Sequence, residues 1–245
     1  MRAATLRALV YADSRLLWRD PLLGWVLLLP LGLAVLFRVL IPRGGGALLT
    51  ATGFNLAPYY PLIMGGYLMT APGIVGMVIG FLLLDERDAR TLVALRVTPL
   101  SMRRYLAYRV TLPLLFGTAS TLVGYPLIGI TPLPLTSLLA IATVAGLSAP
   151  LLALVLATAA PNKVAGFAMV KVLNGVNLLP VVAFLLPVPL QYVAGVLPTY
   201  WPMRAFWSAA AGEDYVGYLG IGAIVAAVAL ALAAWLFDRR LLRRG

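Results

Sequence analysis

The only cluster of acids in this 245-residue chain is Asp85, Glu86 and Asp88, and Arg87 and Arg90 interleave it. Clustered carboxylates can hold a metal ion or share protons, which is the equipment of a lipid-modifying membrane enzyme. The rest of that equipment is missing. The chain has no His, the commonest general base and metal ligand, and no Cys, so thiolate sites and disulfides are excluded. No Gly-x-x-x-x-Gly-Lys-Ser/Thr run is present to cradle phosphates. If ATP drives this protein, another chain hydrolyses it.

The acids open a charged island, Asp85–Leu100, that reads better as a docking device. Leu92 and Leu95 share a helical face, Val93 and Val97 lie near its edge, and Arg90 and Arg96 stay solvated. Thr98-Pro99 ends that short helix and can start the next, because Thr caps well and Pro suits a first helical position. The plainer alternative is a positively charged loop that happens to be helical.

The elements that must position this island are apolar. The chain is 62% hydrophobic and 11% charged, and its mean hydropathy is +0.97; a soluble domain is about half apolar and about a quarter charged. Six stretches are long enough to span a bilayer: Leu22–Ile41, Tyr60–Leu84, Tyr105–Ile130, Leu135–Ala159, Val164–Leu186 and Val216–Phe237. The expected fold is an all-α, polytopic membrane protein forming one transmembrane domain, 1–245. No internal repeat and no cleaved signal peptide is read.

The net charge of +11 orients the chain rather than binding nucleic acid, because the basic residues sit at the ends of apolar runs and form no basic face. One set of loops holds Arg2, Arg7, Arg15, Arg19, Arg87, Arg90, Arg96, Arg103, Arg104, Arg109, Lys163, Arg239, Arg240, Arg243 and Arg244; the other holds Arg43 and Arg204. Both termini are expected to be cytoplasmic, in the inner or plasma membrane.

Two further segments stand out. Leu6, Leu9, Val10, Leu16 and Leu17 recur at helical spacing, with Arg2, Asp13, Arg15 and Arg19 supplying polar character. Residues 1–20 therefore read as an amphipathic interfacial helix or as a simple positive anchor. Residues 187–215 are too apolar for a solvated loop and too rich in Pro to span; short re-entrant helices at the outer interface fit them, as does a plain aromatic belt.

Inside the spans, Arg38 can snorkel to the outer headgroups. Lys171 lies eight positions after Lys163, roughly 12 Å deeper along a helix; it either snorkels back to the inner surface or has a structural or substrate-facing role. Asn55, Tyr59, Tyr60, Tyr67, Thr70, Tyr125, Asn174 and Asn177 could line a path or simply satisfy interhelical hydrogen bonds. Gly76 and Gly80 form a small-xxx-small pair suited to close packing. No acid lies well inside a span, which argues against an ion-coupled carrier.

Glu86-Arg87-Asp88, Thr91-Leu92, Ala94-Leu95, Val97-Thr98-Pro99-Leu100 and Tyr105-Leu106 together resemble the intracellular loop of ABC-2-type exporter permeases. Two departures stand out: Ala89-Arg90 replace a variable-Gly pair, and Val93 stands where an acid is usual, so one ionic contact to a partner is not carried over. Asn162-Lys163-Val164, with Gly166 and Lys171, resembles a motif of a fluoroquinolone-export permease subgroup.

The resemblance implies a six-span exporter subunit for a hydrophobic or drug-like substrate. Glu86, Arg87, Thr91, Leu92, Leu95, Arg96, Thr98 and Pro99 would couple it to separate ABC ATPase subunits, within a coupling loop at 85–104. Asn55, Tyr59, Tyr67, Tyr125, Lys171, Asn174 and Asn177 would be candidates for the path. Mg-ATP would sit on the partner, with no cofactor or metal on this chain. A second copy or a sister permease would complete a dimer in the lipid bilayer. The competing readings are an integral-membrane lipid-modifying enzyme and a non-transporting scaffold.

Overall fold

The computed structural model describes residues 10–11, 13–15, 21–89 and 101–242. Among the described residues of 21–242, nine α-helices follow one another: α1 (Pro21–Thr52), α2 (Tyr60–Asp88), α3 (Met102–Ile128), α4 (Leu135–Gly146), α5 (Ser148–Ala159), α6 (Lys163–Ala183), α7 (Val188–Gln191), α8 (Tyr200–Ala210) and α9 (Val216–Phe237). Residues 10–11 and 13–15 are also helical. Among the described residues there is no strand, and six helical stretches are long and apolar enough to cross a membrane, α4 and α5 together making one of them. The all-α, six-span expectation is met.

The centre is α2. It is buried on nearly every side from Met64 to Leu84, whereas α1, α6 and α9 expose most of their apolar residues, such as Leu28, Leu36, Val172, Leu179, Ile224 and Val228. Glycine explains how a helix can be enclosed this way. A Cβ on Gly76 would meet the Ala149 carbonyl of α5, and one on Gly80 would lie 2.8 Å from a Leu156 methyl. The small-xxx-small pair therefore lets α2 and α5 approach backbone to backbone. Gly117 adds α3 to the same crossing, where a Cβ would stand 3.0 Å from Pro72 and 3.1 Å from Ala149.

Two apolar clusters divide the bundle lengthwise. One surrounds Val75–Leu84, with Tyr105, Ala149–Ala160 and Phe237. It lies toward the end that carries Arg103, Arg104, Lys163, Arg239 and Arg240, here termed the basic end. The other surrounds Met64–Ala71, with Tyr125, Ile141 and most of α8, at the aromatic end.

Several boundaries differ from the sequence reading. The first helix runs to Thr52 instead of Ile41. Pro42 and Gly44-Gly45-Gly46 look like a stop, but Pro42 forfeits only one donor, and the helix continues into Ala47-Leu48-Leu49 until Gly53 turns it off at φ +74°. At 32 residues it is roughly 48 Å long, longer than a hydrocarbon core requires. The fourth span is two helices that meet at Leu147. Pro150 lacks the N–H that would bond the Gly146 carbonyl, and its ring crowds that carbonyl, so the helix re-starts two residues earlier, at Ser148.

The third and fifth spans shift by a few residues, to Met102–Ile128 and Lys163–Ala183, and the sixth falls on its expected bounds. The second continues through the acids to Asp88, so Asp85–Asp88 is the last turn of a helix rather than loop, and residues 102–104 already belong to α3. Residues 188–210 hold the short helices α7 and α8, and α8 is built into the bundle: Tyr200, Met203, Ala205, Phe206 and Trp207 are buried. Arg38 also bonds to a neighbouring helix. Its Nη1 donates to the Leu127 carbonyl of α3 at 2.8 Å, tying α1 to α3.

A candidate coupling site at the basic end of α2

The last turn of α2 sends consecutive side chains in different directions, about 100° apart around the helix. Glu86 points into the bundle toward α3; Asp85 and Arg87 point toward the α5–α6 turn. On α3, Tyr105, Tyr108 and Arg109 fall at i, i+3 and i+4 and so share one face. The N-terminal helical segment supplies Asp13.

These residues form a buried knot. Arg109 Nη1 donates to Asp13 Oδ2 at 2.8 Å, and Nη2 donates to Asp13 Oδ1 at 3.0 Å, a two-pronged pair. Nη2 also pairs with Glu86 Oε1. The Tyr105 hydroxyl donates to Glu86 Oε2 at 2.5 Å, and the Tyr108 hydroxyl donates to Asp13 Oδ2 at 2.6 Å. Both phenol rings lie 5.3 Å from the guanidinium carbon. Arg109 is fully buried, and Asp13 and Glu86 retain 5% and 7% of their exposure, so water screens none of this. Two carboxylates face one guanidinium, and the phenol donors stabilise the excess negative charge. Such a pair is tolerated in a low-dielectric interior only with this degree of hydrogen bonding.

Arg87 makes a second knot. Its Nη1 donates to the carbonyls of Ala157 (3.2 Å) and Ala160 (2.7 Å), and its Nη2 to that of Pro161 (2.8 Å). These carbonyls end α5, where orphan acceptors and the negative pole of the helix favour a cation. Lys163 Nζ lies 3.0 Å from Asp85 Oδ2, and Asn162 caps α6 by accepting the Ala165 N–H at 2.9 Å. Gly166 completes the joint, because a Cβ there would stand 3.0 Å from the Phe81 ring and 3.1 Å from Leu84. The Asn162-Lys163-Val164…Gly166 motif is thus the α6 half of the joint with α2.

An apolar cavity of about 100 Å³ adjoins the first knot. Val10, Leu27, Val75, Leu82, Leu112 and Phe116 line it, with Asp13 and Tyr108 at its edge.

Of the expected coupling residues, Glu86 and Arg87 occupy these knots, while Thr91, Leu92, Leu95, Arg96, Thr98 and Pro99 lie outside the described residues. The expected path residues fall into three groups. Asn55 sits in the α1–α2 connection and accepts the Ala57 N–H at 3.0 Å; Tyr59 beside it stacks on Phe54 at 5.6 Å. Tyr67 and Tyr125 are buried in the aromatic-end core, with their hydroxyls on the carbonyls of Pro30 (3.2 Å) and Thr131 (2.6 Å). Lys171 is exposed on α6, with Asn174 and Asn177 half-buried along the same helix. Asn174 faces Gly73 of α2.

The sequence reading placed Asp13 on a solvated face and Arg109 among the loop cations, and it left Tyr105 and Tyr108 without a role at the site. Asp13 in fact faces inward while Val10 and Tyr11 face outward, at 45% and 67% exposure. The available signal was a single acid in an otherwise basic N-terminal segment, with an Arg one turn inside the third span among phenols.

The sequence model of the Rv2686c-like family, described as fluoroquinolones export permease protein Rv2686c-like, matches residues 13–234. The chain is 35% identical over 215 residues to the fluoroquinolones export permease protein Rv2686c of Mycobacterium tuberculosis (strain ATCC 25618 / H37Rv), covering 86% of this chain and 85% of the relative. The same figures hold for MT2760 of strain CDC 1551 / Oshkosh, which bears the same description. No solved structure matches significantly. The match runs from Asp13 of the first knot to within a turn of the last helix's end, and on that extent the chain belongs to the Rv2686c-like family of ABC-2-type permeases, multi-pass membrane proteins.

Proposed function

We propose that this chain is the transmembrane subunit of an ATP-driven exporter of drug-like, largely apolar compounds, fluoroquinolones among them, and that a separate ATPase drives it from the basic, cytoplasmic end. The observation that carries the reading is the pair of knots on the last turn of α2. They bind the N-terminal helical segment, α3, α5 and α6 to one point, and residues 90–100 leave α2 directly from that point. A force applied to 90–100 by a docked partner would therefore reach four other elements through Asp85, Glu86, Arg87 and Arg109. Relatives of 35% identity are named for fluoroquinolone export, which supports the substrate class.

In this reading Leu92 and Leu95 seat the segment on the ATPase, Thr98-Pro99 redirects the chain into α3, and Mg-ATP belongs to the partner. A second permease, identical or sister, completes the pore in this reading. The test is ATP-dependent accumulation of a fluorescent fluoroquinolone in inside-out vesicles containing the chain and its ATPase. Accumulation that requires both chains is expected. Equal accumulation without ATP would overturn the reading.

A further inference from the structure

Unsatisfied polar atoms are rare in protein interiors, and each calls for an explanation, a bound ion or ligand among them. Among the described residues, seven buried side-chain polar atoms lack a hydrogen-bond partner, and six of them lie within residues 191–208: those of Gln191, Thr199, Tyr200, Arg204, Trp207 and Ser208. This segment is at the aromatic end, far along α2 from the coupling knots.

Arg204 is the cation of that segment. Tyr200 and Arg204 fall at i and i+4 of α8 and so share a face. The guanidinium carbon lies 5.0 Å from the Tyr218 ring of α9. The Tyr218 and Tyr192 hydroxyls meet at 3.2 Å, and the Tyr192 ring stands 6.4 Å from both Tyr200 and Trp201. Among the described residues no carboxylate oxygen lies within 4 Å of the Arg204 guanidinium. The nearby acids are otherwise placed. Asp214 accepts the Val216 N–H at 3.1 Å just before α9, and Glu213 is exposed on the α8–α9 turn. Burial pushes the Tyr200 phenol up to about 12, so it remains a donor at neutral pH.

The group is built to hold its shape. Trp201 donates to the Gly195 carbonyl at 2.8 Å, and Cβ atoms on Gly195 or Gly222 would each come within 2.9 Å of Trp201. A half-buried guanidinium without a carboxylate, beside buried and exposed phenol donors and flanked by aromatic faces, matches an anion whose oxygens accept several hydrogen bonds while its body stacks or packs.

We propose that Arg204, with Tyr192, Tyr200 and Tyr218, forms an outer-end site for an oxyanion carried on an apolar body. A lipid phosphate and the carboxylate of an aromatic amphiphile share this chemistry. The site stands whether or not an ATPase drives the chain.

The test uses the full chain in dodecyl maltoside, which carries no anion. Dodecyl phosphate and 2-naphthoate are titrated against their neutral counterparts, dodecanol and 2-naphthol, with tryptophan fluorescence and calorimetry as readouts. At least one anion is expected to bind tenfold or more tightly than its neutral counterpart. Arg204→Gln is expected to erase that preference and Arg43→Gln to leave it intact. Should Arg204→Gln fail to fold, Tyr192→Phe with Tyr218→Phe is expected to reduce the preference several-fold. Tighter binding of dodecyl phosphate assigns the site to lipid; tighter binding of 2-naphthoate assigns it to exported compounds. Equal affinity for charged and neutral probes, or a preference unchanged in Arg204→Gln or in the Tyr pair variant, would overturn the proposal.

Discussion

Arg109 is the residue on which the basic end depends most. Among the described residues it alone pairs with Asp13 and Glu86, and its removal would leave two carboxylates facing each other away from water. Arg109→Ala is expected to destabilise the protein by about 3–5 kcal/mol, read as the loss of thermal or denaturant stability in detergent. Arg109→Lys should recover little of this, because one ammonium cannot supply the two-pronged contact to Asp13 together with the bond to Glu86. Tyr108→Phe removes one hydroxyl donor to Asp13 and is expected to cost about 1.5–3 kcal/mol, the worth of a hydrogen bond to a charged group. Stability in Arg109→Ala equal to that of the wild type would show that the knot does not form. The sequence made Glu86 and Arg87 visible because they sit in a motif. Asp13 and Arg109 were hidden, because they lie 96 positions apart and only the folded bundle brings them together.

At the scale of elements, the helices were legible wherever a long apolar run was bounded by polar residues, as in α9, and less so where Pro or Gly occurs inside the run. Pro42 did not stop α1, whereas Pro150 did break the fourth span. Each Pro forfeits one intrahelical donor; α1 carries on through Gly44-Gly45-Gly46 to Thr52, whereas the fourth span re-starts at Ser148, two residues before Pro150. The Gly76–Gly80 pair was legible as a packing surface, but its partner was not, since any of the other spans could have met it. With Ala149 now identified, Gly76→Val is expected to push α2 from α5 and cost about 1–3 kcal/mol or more, measured by thermal unfolding in detergent. Gly175→Ala on α6, where a Cβ meets nothing within 4 Å, is the matching control and should be near neutral. Arg87→Ala uncovers the Ala157, Ala160 and Pro161 carbonyls. It should raise hydrogen exchange at the end of α5 and the start of α6 while leaving the aromatic end protected.

For the whole molecule, the two ends have different characters. The basic end concentrates ion pairs on α2 and is the end from which residues 90–100 depart. The aromatic end concentrates phenols, indoles and unpartnered polar atoms on α8 and its neighbours. That division suits a subunit driven from one side that meets its cargo or its lipid at the other. The central claim is that a partner ATPase engages residues 90–100 and acts through the α2 knots. The most direct measurement is copurification of the full chain with the ATPase in nanodiscs, comparing the wild type with Leu95→Asp and following ATP hydrolysis. The account predicts that the wild type retains an active ATPase, and that Leu95→Asp loses it while its thermal unfolding stays that of the wild type. A well-folded wild-type chain that recruits no ATPase, or a Leu95→Asp variant that binds and stimulates it normally, would contradict the account.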